Sequence, residues 1–338
     1  MKKSDFLFDL PKELIAQFPR ERGRSKLFVL HRDSRKFEHR NFPDLIDYIT
    51  PGDCLVVNNS KVIPARFYGY RESTGGKVEI LLVEKISVGR WKTIVSPGKK
   101  ARIGDVLIVE DKFKTYVEEI DKNTGERILR FEEENNLLSY GSVPLPPYIE
   151  RLPVNLDKKR YQTIYAEKDG SVAAPTAGLH FNKEALSKFK EKGVFIVGIT
   201  LHVGPGTFRP VRVENLEEHN MESERFEVTE EAASSINRVI EEGGEIFAVG
   251  TTTVRALETV ALPSGRIIPK KGRTNLFIHP PFKFKITDHL LTNFHLPGST
   301  LIMLTSAFAS RDLILKSYKE AILKGYRFYS YGDAMLIL

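Results

Sequence analysis

The sequence predicts an α/β fold: a mixed α/β main domain with a smaller all-β barrel domain inserted into it. Three observations point there. At 338 residues the chain is too long for one ordinary hydrophobic core, so two domains are the natural expectation. From about residue 67 to 143, short strand-like runs recur at the roughly 8–12-residue spacing of a barrel or sandwich. Beyond residue 180, apolar strand runs alternate with helical segments. The expected division is 1–66 with 144–338 for the main domain and 67–143 for the insertion.

In chain order, FDLPKELIAQFP places Pro11 where a first helical turn can begin. Arg20, Arg22, Arg24 and Lys26 then precede a strand-like KLFVLH. Next, GDCLVVNNSKVIPARFYG contains a buried-strand pattern, LVV, followed by Asn58-Asn59-Ser60, read by default as a turn, with room for a ligand role at the strand end. Five runs make up the insertion: VEILLVEK, RWKTIVS, DVLIVED, KTYVEEID and RILRFEE. Gly75-Gly76, Pro97-Gly98, Gly104-Asp105 and Asn123-Thr124-Gly125 separate them. VPLPPYIER is a stiff proline connector back to the main body.

The stretch YQTIYAEKDGSVAAPTAGLHF, residues 161–181, resembles neither core nor linker. Its glycines and alanines permit close backbone approach, and Pro175 makes it irregular. Tyr161, Gln162, Thr163, Thr176 and His180 supply polar groups. Asn182 then caps a helix to about Lys192, which Gly193 ends. VFIVGITLHVG is a buried strand, GPGTFRPV a rigid loop and RFEV another strand. Thr229, Glu230 and Glu231 open a helix that Gly243-Gly244 ends. EIFAVG is a strand feeding the helix TTTVRALETV. LLTNFHLPGSTLIMLTSAFA repeats that form through a Ser/Thr cap. Asp312 begins the last helix, and RFYSYGDAMLIL is a terminal strand.

A formal net charge of +7 weakly favours a polyanionic partner. The clusters Lys99-Lys100-x-Arg102, Lys158-Lys159-Arg160, Lys270-Lys271-x-Arg273 and Lys283-x-Lys285 suit either solvated surface or an RNA track. No apolar run reaches ~18 residues, so no membrane span is expected. The N-terminus reads as mature protein rather than a signal peptide. A single cysteine, Cys54, excludes an internal disulfide and a cysteine-based metal cluster. That usage suggests the cytosol, and Cys54 reads as core.

Three polar loops leave strand ends, at 204–209, 250–255 and 295–300. Thr251, Thr252 and Thr253 bring hydroxyls and backbone N–H groups to a helix mouth suited to a carboxylate or phosphate, or serve as a simple cap. His180, His202, His219 and His295 stand at strand or loop ends, with Arg209, Arg255, Glu222 and Glu224 nearby in sequence. One such histidine is more often structural; four favour an acid/base site. No zinc spacing is present, so no metal is expected. There is no G-x-G-x-x-G fingerprint and no G-x-S-x-G elbow.

GSVAAPTAGLHF, LHVGPGTFRPV, HNMESERFEV, VGTTTVRALE, TNFHLPGSTLIMLTSAFA and YSYGDAMLI, with FDLPKELIAQFP and NNSKVIPARFYG, together resemble the S-adenosylmethionine:tRNA ribosyltransferase-isomerases of queuosine biosynthesis. The likeness covers nearly the whole chain. It implies an α/β domain joined to a smaller β-barrel. It also implies transfer and rearrangement of the ribosyl group of S-adenosylmethionine onto 7-aminomethyl-7-deazaguanine at the tRNA wobble position. Epoxyqueuosine-tRNA, adenine and methionine would be the products. S-adenosylmethionine is then a consumed substrate and no further cofactor is expected; the enzyme is expected to be a cytoplasmic monomer.

On this resemblance the acid or base comes from His180, His202, His219 or His295, with His180 and His202 favoured. Thr251, Thr252, Thr253 and Arg255 would hold the methionyl carboxylate or a phosphate. Thr176 and Thr207 would meet ribose or base edges, with Arg209 beside them, and Asp333 would orient a ligand amine or simply make a turn. Lys158, Lys159, Arg160, Lys270, Lys271 and Arg273 would track the tRNA. A non-catalytic tRNA-binding protein and an S-adenosylmethionine methyltransferase are the competing readings; adenine release separates them from the first.

Overall fold

The computed structural model describes residues 1–208 and 211–338. The expectation for Arg209 therefore lies outside the described residues. FDLPKELIAQFP makes only one 3-10 turn, Lys12–Leu14, with Pro11 at its N-cap. Strands β1 (Lys26–His31) and β2 (Lys36–Asn41) pair antiparallel. β3 (Cys54–Asn58) follows, then β4 (Ser60–Val62).

Asn58-Asn59-Ser60 is thus not the turn its composition suggests. Asn58 ends a strand and Ser60 begins another. The Asn58 side chain accepts the Ser60 N–H (3.1 Å), a local bond of the kind its composition suggests, and also bonds the N–H (3.1 Å) and the carbonyl (2.9 Å) of Leu201, which tie it to the adjacent strand.

The barrel closes through β5 (Arg66–Arg71), β6 (Lys77–Ser87), β7 (Arg90–Ser96), β8 (Val106–Val109), β9 (Phe113–Ile120) and β10 (Arg127–Phe131). Their order around the barrel is β10-β7-β6-β5-β8-β9. Period-two alternation turns Val78, Ile80 and Leu82 of β6 and Trp91 and Val95 of β7 inward onto Leu107, Val117 and Leu129. The sixth strand, β5, carries two arginines, two tyrosines and a glycine, so it lacks an apolar signature. Gly69 is required there: a Cβ would stand 2.3 Å from the Ile108 carbonyl oxygen across the β5–β8 pair.

The chain returns through a single helical turn, α1 (Leu137–Tyr140), and α2 (Asn155–Arg160). β11 (Lys168–Ser171) pairs in parallel with β4. Then come α3 (Lys183–Glu191), β12 (Phe195–Leu201), β13 (Glu224–Val228), α4 (Glu230–Glu241), β14 (Ile246–Val249), α5 (Thr251–Val260), β15 (Lys270–Thr274), β16 (His289–Asn293), α6 (Thr300–Ala309), α7 (Arg311–Leu323) and β17 (Ala334–Ile337). The expected caps form: Asn182, Thr229 and Ser299 each accept the N–H three residues on, at 2.8, 3.2 and 3.4 Å. The terminal strand is shorter than its apolar run. Residues 329–333 turn instead, because the buried Asp333 carboxylate captures the N–H groups of Lys26 (3.0 Å) and Arg327 (2.8 Å).

Nine strands form one sheet in the order β15-β13-β12-β3-β14-β16-β17-β1-β2, whose centre β12-β3-β14-β16 is parallel. Both faces are covered. Leu55, Val57, Phe247 and Val249 meet Phe181 and Phe189 on one side. Val56, Ile246 and Ala248 meet residues of α4 to α7 on the other. Cys54 belongs to that second core, where burial pushes its thiol up to about 12 and leaves it inert.

Candidate active site

The chain leaves β3 for β12 on one side, then returns to β14 on the other. Ligands of such sheets bind outside the carboxyl ends of the strands where the winding reverses. Four strand ends meet there: Asn58 of β3, His202 to Gly204 after β12, Gly250 after β14, and Asn293 to His295 at β16. The small-residue stretch is laid across them as a strap. Ser171 donates to the Ser60 hydroxyl (2.8 Å) and accepts the Val203 N–H (2.9 Å). Val172 and Ala173 both donate to the Val203 carbonyl. Pro175 then opens a 3-10 helix, Thr176–His180.

Under this strap lies a cavity of about 30 Å³, walled by Thr176, Val203, Thr207, Thr251, Thr252, Thr292 and His295 among others. It gathers residues of all three polar loops. Thr252 accepts from the Asn58 amide at 3.2 Å. His295 Nε2 pairs with the Thr292 hydroxyl (2.9 Å), and burial lowers its pKa to about 3. Thr253 turns elsewhere: its hydroxyl donates to the Val249 carbonyl at 2.7 Å, as an interior helix threonine does.

Beyond Val203 opens a larger cleft, about 170 Å³, between the barrel and the main domain. The barrel contributes Glu84, Lys92 and Glu126. The main domain contributes His202, Gly204, Glu222, Glu224, Arg225 and Arg273. Glu84 reaches Arg273 at 2.9 Å and Arg225 at 3.3 Å across the gap. His202 Nδ1 is buried with no hydrogen-bond partner. Burial, and then the Arg225 charge, lower the His202 pKa to about 4. The ring is therefore neutral at working pH.

Glu224 organises the floor. It pairs with Arg255, accepts the Gly204 N–H (2.8 Å) and accepts the Thr207 hydroxyl (3.0 Å). Arg255 also donates to the Leu276 carbonyl at 3.1 Å. Arg255 thus faces a protein carboxylate.

Other expected residues lie apart. His180 pairs with Ser25 (2.8 Å), stacks on Phe42 and walls a separate pocket with Arg20, Arg22, Arg160 and Arg327. Burial lowers its pKa to about 4, against the nearby Asp333 charge. His219 lies against Phe277 and lines neither the cleft nor the strap cavity. Lys270 and Lys271 are exposed on the edge strand β15, while Arg273 is held by Glu84. Lys158 and Lys159 are exposed at the end of α2. Gln162 brackets the Val62 backbone, accepting its N–H (3.0 Å) and donating to its carbonyl (3.1 Å).

Sequence reasoning missed Glu84, Lys92 and Glu126. Nothing in a strand's own pattern says which flank will face another domain. The default reading of Asn58 is turn chemistry, with room for a ligand role left by its position at a strand end, and that position is the usable signal. Among the described residues, no group of three His, Cys, Asp or Glu side chains is placed to hold a metal ion.

The buried histidines also predict a pH response. Their folded pKa values lie below the ordinary 6.5, so between about pH 6.5 and 4 the unfolded chain binds more protons. Their contribution to stability is complete above 6.5 and is lost as pH falls. The melting temperature is expected to drop between pH 6.5 and 5, before most carboxylates titrate. A flat melting temperature over that range would show that the fold does not hold these rings neutral.

The site therefore offers a neutral imidazole in a polar cleft, a hydroxyl-lined cavity beside it and a fixed carboxylate between. Three comparisons place the chain among known proteins. A family model described as "Queuosine biosynthesis protein" matches residues 3–337. An S-adenosylmethionine:tRNA ribosyltransferase-isomerase of Desulforamulus reducens is 49% identical over 100% of both chains. One of Symbiobacterium thermophilum is 52% identical, again over 100% of both. A crystal structure of S-adenosylmethionine tRNA ribosyltransferase from Thermotoga maritima aligns with TM-score 0.58 and 40% identity, covering 99% of this chain and 100% of that one.

Proposed function

The chain belongs to the queuosine biosynthesis protein family, and from that membership we propose that it is a tRNA ribosyltransferase-isomerase. It transfers and isomerises the ribosyl moiety of S-adenosylmethionine onto 7-aminomethyl-7-deazaguanine at the tRNA wobble position. The products are epoxyqueuosine-tRNA, adenine and methionine. The observation that carries this reading is end-to-end agreement, at 49–52% identity, with relatives that bear the name of that activity.

The site supplies groups for each demand of the reaction. The sulfonium acidifies the 5′ carbon, and the neutral His202 imidazole takes that proton. The imidazolium so formed returns the proton to departing adenine. Thr176, Thr251 and Thr252 offer hydroxyls to ribose and base. Glu224 and Arg255 keep the Gly204 amide and Thr207 in place. The neutral acceptor amine bonds to the sugar carbon and releases one of its protons to solvent, and ring collapse to the epoxide expels methionine. S-adenosylmethionine is consumed, and the reading invokes no other cofactor. The enzyme is cytoplasmic and monomeric on this proposal; no helix among the described residues is long and apolar enough to cross a membrane.

Incubation of the protein with S-adenosylmethionine and tRNA carrying the aminomethyl-deazaguanine base tests the reading. Adenine and methionine release with an epoxyqueuosine mass in the RNA is the expected result. Tight RNA binding without adenine release, or release of S-adenosylhomocysteine, would overturn it.

A further inference from the structure

The fold brings together two basic segments that lie 140 residues apart in sequence. Arg160 donates to the Arg20 carbonyl, and Arg22 donates to the carbonyls of Leu179 (2.9 Å) and Lys159 (3.0 Å). These bonds place the guanidinium groups but neutralise no charge. Arg327 joins them from the other side of the same small pocket, about 20 Å³ in volume. The buried carboxylate there is Asp333, 3.3 Å from Arg20 and 4.0 Å from Arg327, and two backbone N–H groups already occupy it. Glu21 stands at the rim, 3.8 Å from the exposed Arg24. Arg160 Nε and Arg327 Nη2 are buried with no hydrogen-bond partner. Burial, and then the Arg160 charge, lower the Arg22 guanidinium to about 10.

Four guanidinium groups set against the buried Asp333 carboxylate and the rim carboxylate of Glu21 leave net positive charge in a half-buried site, which is costly without an anion. We infer that Arg20, Arg22, Arg160 and Arg327 form a seat for one backbone phosphate of the tRNA substrate. The inference rests on the ribosyltransferase reading for its ligand. Guanidinium forks match phosphate geometry, and four of them converge on this pocket. Exposed Lys158 and Lys159 extend the charge outward from the seat, as a polyanion requires. The 3-10 helix Thr176–His180 has Thr176 on the strap cavity and His180 on the arginine pocket. At a rise of about 2 Å per residue these lie roughly 8 Å apart, so a seated phosphate would register the RNA against the reaction site.

The test is equilibrium binding, at about 50 to 200 mM salt, of tRNA carrying the aminomethyl-deazaguanine base, for wild type, Arg20→Gln, Arg160→Gln and Arg160→Lys; the same tRNA serves the turnover assays. Losing one phosphate contact should shrink the log–log salt slope by about 0.7–0.9 in each Gln variant. Arg160→Lys should recover most of that slope, and the S-adenosylmethionine KM should stay within twofold. An unchanged slope in Arg20→Gln, whose side chain is 36% exposed and whose loss the fold should tolerate, overturns the inference. An S-adenosylmethionine KM raised tenfold with an intact slope overturns it too, by making the pocket a carboxylate site. Wild-type protein that shows the full slope but releases no adenine would instead defeat the functional reading and leave the seat standing.

Discussion

Replacing His202 with Asn is expected to lower kcat by about 10²–10⁴ while tRNA affinity stays within a few-fold, the size of effect of a positioned acid or base. Of the four candidate histidines, His202 alone lines the cleft between barrel and main domain. Its unpartnered ring nitrogen also meets the strap: a Cβ on Gly170 would stand 3.0 Å from His202 Nδ1. Only glycine leaves that approach open, and Gly170 has φ +134°. Single-turnover adenine release at saturating tRNA and S-adenosylmethionine reads the chemical step apart from binding. His180→Asn is the informative companion. His180 walls the arginine pocket, so its replacement should act on tRNA affinity or on stability more than on kcat. Turnover within twofold of wild type for His202→Asn would remove it from the chemistry.

Arg255→Met is expected to destabilise the protein by about 3–5 kcal/mol, because it strands a buried carboxylate. Both partners are nearly sealed, with side-chain exposures of 3% and 5%. The Gly204 N–H and the Thr207 hydroxyl still reach Glu224, but neither brings a positive charge. Urea denaturation of the single variants and of the Arg255→Met/Glu224→Met double variant separates pair from context. The double variant should recover part of the loss, since removing both charges strands neither. A loss under about 1 kcal/mol for Arg255→Met would mean that water reaches the pair. The same variant should raise the S-adenosylmethionine KM, through disorder of the 204–208 loop rather than loss of a ligand contact.

Much of the fold was legible because its determinants are local. Asn182, Thr229 and Ser299 cap their helices with their own side chains, three residues from the N–H they bind. The barrel strands β6 and β7 announce themselves by alternation. Where a segment's partner is remote, the local rule failed. The Asn58-Asn59 pair has turn composition and makes one local bond, from the Ser60 N–H, yet Leu201 and Thr200 tie both side chains to the neighbouring strand. RFYSYGD has strand composition, yet Asp333 draws it into a turn around the Lys26 and Arg327 backbones.

The candidate site divides the same way. Sequence by itself determined the family, the alternation of strands and helices, and which polar loops follow strands. Those are properties of residue type and spacing along one segment. Tertiary structure decided which of those loops share a space. It set Thr176, Thr207, Thr252 and His295 around one cavity, turned Thr253 to a backbone carbonyl, and gave Arg255 to Glu224. It put His202 opposite the barrel's Glu84 and sent His180 to the arginines. The physical reason is that a side chain's partner, burial and charge state depend on neighbours tens to hundreds of residues away, which only the closed sheet and the docked barrel bring within a hydrogen bond's length.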